Sequence, residues 1–251
     1  IEGMDLSLGD VLSHLESLGI AEDTLVMFIG DNGSDSPLNN HSTVPDAPYD
    51  DFLLRGKKGG KWEGGSRVPL IISWARPDAA NAFQQATPVA TNSVEHDIVA
   101  CWDLPVTIMN AAGVDIPVPV HGHDLRGYLA GTPGDHRPQE ILIYSPHGRN
   151  GDFFANYRAG DWKLMYTWQN DTYQLYNLAA DPTEQNNLAE NPAYGARVFS
   201  MARAMEARFN AEWGALGPLW PTDGQGNRPQ QDVPLPIPTE LAPKATLFVT
   251  M

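Results

Sequence analysis

Cysteine and basic residues are both scarce in this sequence, and each shortage narrows what the chain can be. Of 251 residues one is a cysteine, Cys101, so no internal disulfide can close and no cysteine-based zinc site can form. That inventory suits a cytoplasm and is equally compatible with a periplasm. Sixteen lysines and arginines stand against thirty-one aspartates and glutamates, a formal charge of -15. Such a balance argues against nucleic acid or an anionic membrane surface as the main partner. A pocket can still hold an anion, because a few local cations set the field there. No run of about eighteen apolar residues occurs, so no segment is expected to span a bilayer. Internal repeats and a signal-like start are missing too. Ile1-Glu-Gly-Met4 leads straight into a helical pattern, as an interior cut would.

What is present centres on Thr24-Leu-Val-Met-Phe-Ile-Gly-Asp-Asn-Gly33. Five apolar residues, Leu25 to Ile29, predict a strand buried on both faces that delivers Asp31 and Asn32 at its carboxyl end. In open α/β sheets that end borders the ligand crevice. The same Asp-Asn-Gly also fits a plain hairpin turn, so the segment alone leaves both readings open.

Upstream, Met4, Leu8, Val11, Leu12, Leu15 and Leu18 fall at helical spacing before a capping glycine, Gly19, which predicts an amphipathic helix. Residues 34–55 carry no sustained periodicity. In Leu54-Arg-Gly-Lys-Lys-Gly-Gly-Lys-Trp-Glu-Gly-Gly-Ser-Arg67, glycines alternate with cations, giving a backbone that can turn its amides toward an anion; a solvated basic turn is the other reading. Val68 to Trp74 predicts a second buried strand, and Asp103 to Gly113 a short helix with an early proline and a closing glycine. His121-Gly-His123 reads as loop, because no third ligand at suitable spacing supports a metal site.

The composition shifts near residue 136. Ile141 to Tyr144, Asn156 to Arg158, Trp162 to Trp168 and Tyr173 to Asn177 predict a small antiparallel sheet. Asn191-Pro192 then caps a helix whose Tyr194, Val198, Met201, Met205 and Phe209 form one apolar stripe suited to packing across that sheet. Three regions are expected: 1–135, an α/β portion; 136–215, a small α+β sub-domain; and 216–251, an extended Pro-rich tail.

Several of these blocks, taken in order, resemble the sulfatase family, the formylglycine-dependent sulfuric ester hydrolases of the alkaline phosphatase superfamily. The resemblance lies in Asp23 to Gly33, Leu54 to Pro69, Trp102 to Gly113, Tyr157 to Tyr166 and Tyr173 to Leu188, and holds from about residue 1 to 195. It implies the carboxyl-terminal part of an alkaline-phosphatase-like α/β sandwich plus a small antiparallel sheet with a packed helix. It further implies hydrolysis of sulfate esters with Ca²⁺ as cofactor. Residue by residue, Asp31 and Asn32 match calcium ligands and Lys58 matches the catalytic lysine of the sulfate pocket. His147 and Arg149, in Tyr144-Ser-Pro-His-Gly-Arg149, match positions that contact substrate in some members. Glu63 and Arg67 are expected to brace the lysine turn through ion pairs.

The family's Cys/Ser-x-Pro/Ala-x-Arg motif, from which the formylglycine nucleophile is made, is absent from these residues. Cys101 is followed by Trp-Asp-Leu-Pro and is expected to be a small buried hydrophobe. The resemblance therefore implies that the nucleophile and the remaining metal ligands lie upstream, in an amino-terminal half that is this chain's partner. The expected substrate is a sulfated small molecule or carbohydrate, and the expected compartment periplasmic or extracellular. A phosphomonoester or phosphodiester hydrolase of the same superfamily, and a non-catalytic binding module, are the alternatives.

Overall fold

The computed structural model describes residues 2–33, 54–132, 134, 136–145 and 153–213. Within them the chain divides into two compact units, one inside residues 1–30 and 69–139, the other inside 31–68 and 140–251.

The first unit opens with helix α1, Glu2–Ser17. Gly19, at φ 69°, closes it: the Gly19 and Ile20 amides donate to the carbonyls of Glu16 and Leu15. Strand β1, Leu25–Ile29, follows. Its partner is β2, Leu70–Trp74, beyond the short helix α2, Glu63–Ser66, of the second unit. The two strands run antiparallel, with Leu25 opposite Trp74 and Ile29 opposite Leu70. Helix α3, Ala82–Ala86, is capped by the Asn81 side chain, which accepts from the Phe83 and Gln84 amides. Helices α4, Asp103–Ala111, and α5, Arg126–Leu129, complete the unit.

Two expectations are corrected here. Strand β1 was expected to be buried on both faces and β2 to be a second buried strand, but within this chain β1 is half-buried throughout and β2 alternates, with Ile71 61% exposed. Leu104, Leu125 and Tyr128 cover one side, where Met27, Ile29, Leu70 and Ile72 point. Cys101 is exposed, because it sits in the turn before α4 while Asp103, Leu104, Val106 and Thr107 take the buried side. Asp103 is buried, and its carboxylate accepts from the Ala100 and His123 amides and pairs with Arg137, 2.8 Å away. It thereby ties the start of α4 to two later loops.

The second unit is built on strands β3, Glu140–Ser145, β4, Phe154–Ala159, β5, Trp162–Thr167, and β6, Thr172–Asn177, an antiparallel sheet in chain order. Helix α6, Gly195–Trp213, enters through a turn whose Asn191 side chain accepts from the Ala193 amide. Alternation along the strands then assigns the two faces. Ala155, Tyr157, Leu164, Tyr166 and Leu175 meet Val198, Met201, Met205 and Phe209 of α6. The intervening residues Asn156, Lys163, Met165 and Tyr176 are equally buried, so something else covers that side. Trp62 packs on Met165, Tyr176 and Leu178 there, which makes the glycine-rich turn the cover.

Candidate active site

The turn at 54–67 is shaped by its glycines before any ligand is considered. Gly56 and Gly59 stand at φ 85° and 77°, where a side chain is strained. The Gly60 amide donates to the Lys57 carbonyl at 2.8 Å and the Gly64 amide to the Arg55 carbonyl at 2.7 Å. A methyl group on Gly64 would lie 2.6 to 2.8 Å from the carbonyl oxygens of Arg55, Gly56 and Leu54. The backbone is thus wound on itself with no room for a side chain.

Strand β1 leads into this knot. Past Ile29, the Gly30 amide donates to the Pro69 carbonyl, and the Gly33 amide donates to the Gly65 carbonyl at 3.1 Å. A methyl on Gly33 would overlap the Gly64 carbonyl oxygen. Asp31, exposed, and Asn32, half-buried, therefore stand on a segment locked against the turn that carries Lys58. Lys58 is half-buried and Lys57 exposed. Lys61 has its ammonium 5.5 Å from the Trp62 ring centroid, and the Arg55 guanidinium stacks on that ring at 3.5 Å. All three residues are half-buried, and contacts of this kind contribute from about 0.5 kcal/mol when exposed to about 2 kcal/mol when desolvated.

Behind the turn lies a cluster that sequence reasoning missed. The Lys163 ammonium, fully buried, is 3.0 Å from Glu63 Oε1 and 2.8 Å from Glu184 Oε1. It also donates to the Lys61 carbonyl, which accepts a second bond from Asn156 Nδ2 at 2.6 Å. Glu184 Oε2 accepts from the Glu63 amide at 2.7 Å, and the Glu184 carbonyl from Arg55 at 2.6 Å. Arg158 stands 3.7 Å from Glu63.

One ammonium serves two carboxylates, and they respond differently. For Glu63, burial alone would raise the pKa, but Lys163, backed by Arg158 and Arg67, outweighs it and holds the carboxyl below its ordinary value. For Glu184 burial wins over Lys163, and the neighbouring Glu63 adds repulsion, so the carboxyl is raised. The expected bracing by Glu63 is thus present, with Lys163 and Arg158 as partners. Arg67 is exposed and acts on Glu63 at longer range.

A buried lysine in the Trp162-Lys-Leu-Met run could have signalled the cluster. A strand without polar alternation is covered on both faces, and a lysine inside it needs a partner. His147 and Arg149 lie outside the described residues. Among the described residues no three His, Cys, Asp or Glu side chains converge on one point. Asp31 and Asn32 offer hard oxygen donors of the kind calcium takes, two of the about six to eight it fills.

A family model for sulfatases matches residues 1–114, and a model described as N-sulphoglucosamine sulphohydrolase, C-terminal, matches residues 60–210. The chain belongs to the sulfatase family. A curated sulfatase from Formosa agariphila is 30% identical over 235 residues, 84% of this chain and 38% of that protein. The chain therefore spans well under half of that relative. Among solved structures, a protein in complex with its substrate D-glucosamine-2-N,6-O-disulfate superposes with a TM-score of 0.63 at 22% identity, over 83% of this chain and 38% of its own. The phosphonate monoester hydrolase of Silicibacter pomeroyi gives 0.58 at 22% identity, over 83% and 38%. These likenesses give the fold, the α/β architecture of alkaline-phosphatase-like sulfatases. The strand end at 31–33 and the turn at 54–67 are joined through the Gly33 amide and the Gly65 carbonyl.

Proposed function

We propose that this chain is the carboxyl-terminal part of a calcium-dependent sulfatase acting on a sulfated carbohydrate. In this reading Asp31 and Asn32 are two ligands of the cation, and the Lys58 ammonium holds a sulfuryl oxygen. The observation that carries it is the hydrogen bond from Gly33 to Gly65, which locks the strand end bearing the oxygen donors to the lysine turn. Calcium, when bound, would neutralise charge on the sulfate ester. What the protein supplies is a fixed backbone under the Lys58 side chain, which limits the reorganisation needed as charge develops. Lys58 is favoured over its neighbours because Lys57 is exposed and Lys61 lies beside the Trp62 ring. The sugar part of the proposal rests on the match to a sulphoglucosamine sulphohydrolase model and the fold shared with a protein bound to a disulfated glucosamine.

The test is turnover and metal content in the complete enzyme. Lys58→Ala should lower kcat on aryl or sugar sulfates by a factor on the order of 100, whereas Lys57→Ala and Lys61→Ala should do far less. Greater sensitivity at Lys61 would shift the anion site by one turn of the loop and sink the assignment. Asp31→Ala should remove bound calcium and turnover together; full calcium content in the purified variant would contradict the ligand role.

The fold shared with a phosphonate monoester hydrolase favours one second reading, in which the same site cleaves a phosphate or phosphonate ester. Comparing kcat/KM for matched aryl sulfate and aryl phosphonate esters separates the two.

A further inference from the structure

Lys58 sits midway along a turn that is pinned on both sides by one buried cluster. On its amino-terminal side, Arg55 donates to the Glu184 carbonyl and stacks on Trp62. On its carboxyl-terminal side, the Lys61 carbonyl accepts from Lys163 and Asn156, and the Glu63 amide donates to Glu184. We propose that Lys163, held between Glu63 and Glu184, is a positioning residue that fixes the backbone of residues 55–66 and through it the place of Lys58. The proposal rests on the sulfatase reading for what Lys58 does, but not for what Lys163 touches.

Two observations separate this role from ordinary packing. Three ionisable side chains in a dry contact are a poor source of stability, since apolar residues of the same volume often do as well or better. What they supply instead is directed bonds, and two of these end on backbone atoms of the turn itself, Lys163 on the Lys61 carbonyl and Glu184 on the Glu63 amide. Glu184 also holds its carboxylate in place from a backbone φ of 55°, a conformation that non-glycine residues rarely adopt. A side chain needed for bulk alone could stand on an unstrained backbone.

The experiment uses the complete enzyme carrying Lys163→Met, Lys163→Arg, Glu184→Gln and Lys58→Ala, with the Lys163→Met/Lys58→Ala double variant. Lys163→Met should lower kcat by about tenfold or more with little change in KM, Lys163→Arg should recover part of the loss, and Glu184→Gln should follow Lys163→Met in direction. If Lys163 acts through Lys58, the double variant turns over no more slowly than Lys58→Ala alone. A double variant slowed by the product of the two single losses would overturn the proposal. A second readout needs no turnover. In Lys163→Met the amides of Glu63, Gly64 and Gly65 should exchange about tenfold faster or more, while those of Leu164 and Leu175 in the sheet keep their protection. Equal acceleration in turn and sheet, or an unaltered turn, would overturn it as well. Should the parent enzyme hydrolyse no sulfate ester, the sulfatase reading falls, and the exchange comparison still decides whether Lys163 sets the turn.

Discussion

Glu184 combines two things that an L-amino acid does badly: it holds a left-handed backbone and keeps a carboxyl group out of water. The second has a measurable sign. Its folded pKa lies above the unfolded one, so the stability it contributes is present below the ordinary carboxylate value, about 4.3 for glutamate, and is lost as pH rises through the raised value. Glu63, with a lowered pKa, behaves oppositely: its contribution is present above the ordinary value and lost as pH falls through the lowered one. Glu184→Gln keeps the volume and cannot ionise, so the variant should escape the loss that the parent suffers on the alkaline side. The difference in Tm, variant minus parent, should therefore become more positive from about pH 4 toward neutrality. A difference that becomes more negative over that range would show that Lys163 overcomes the burial of Glu184. Removing the cation instead, as in Lys163→Met, leaves two carboxylates facing each other without it, a change of the class that costs about 3 to 5 kcal/mol.

Elements differ in how far their own residues announce them. The sheet β3 to β6 and helix α6 could be read in advance because each carries a local signal: aromatic and β-branched runs between turn residues, and an Asn-Pro cap ahead of a stripe from Tyr194 to Phe209. The glycine-rich turn was legible in its conformation, since five glycines in fourteen residues leave few alternatives. Its support was not. Lys163 lies 100 residues from Glu63, and Glu184 lies 121 residues from it, so no pattern within one window joins them. The pairing of β1 was illegible for a related reason. An apolar run of five fits a strand covered on two faces or on one, and neighbours distant in sequence decide which. Cys101 failed at a finer grain, since a helix of nine residues turns away a side chain that precedes it by two positions. Motif order pointed to Asp31, Asn32 and Lys58 as a group, and the Gly33 to Gly65 bond is a physical link between their segments that no motif contains.

At the scale of the molecule, the two units are unequally furnished. The second has a sheet covered on both sides, with Leu164, Met165, Leu175 and Met205 fully buried, each such side chain contributing about 1.5 to 3 kcal/mol. In the first, α1 buries no residue, and Met4, Leu6, Val11 and Leu18 are all more than half exposed. Expressed by itself, this 251-residue chain should show no arylsulfatase turnover, since the nucleophile motif is absent from it, and its amides should exchange more slowly in β3 to β6 and α6 than in α1 and β1. Turnover above background, or uniform protection across both units, would contradict that expectation. The interlock of Gly33 with Gly64 and Gly65 bears on engineering. A grafted turn must keep its backbone path beneath Gly33, and a grafted strand end must keep a glycine there, because a Cβ at position 33 would overlap the Gly64 carbonyl. Chimeras should therefore tolerate junctions outside the pair far better than junctions between its members, so that residues 30–33 and 54–67 behave as a single exchangeable cassette despite the separation between them in sequence.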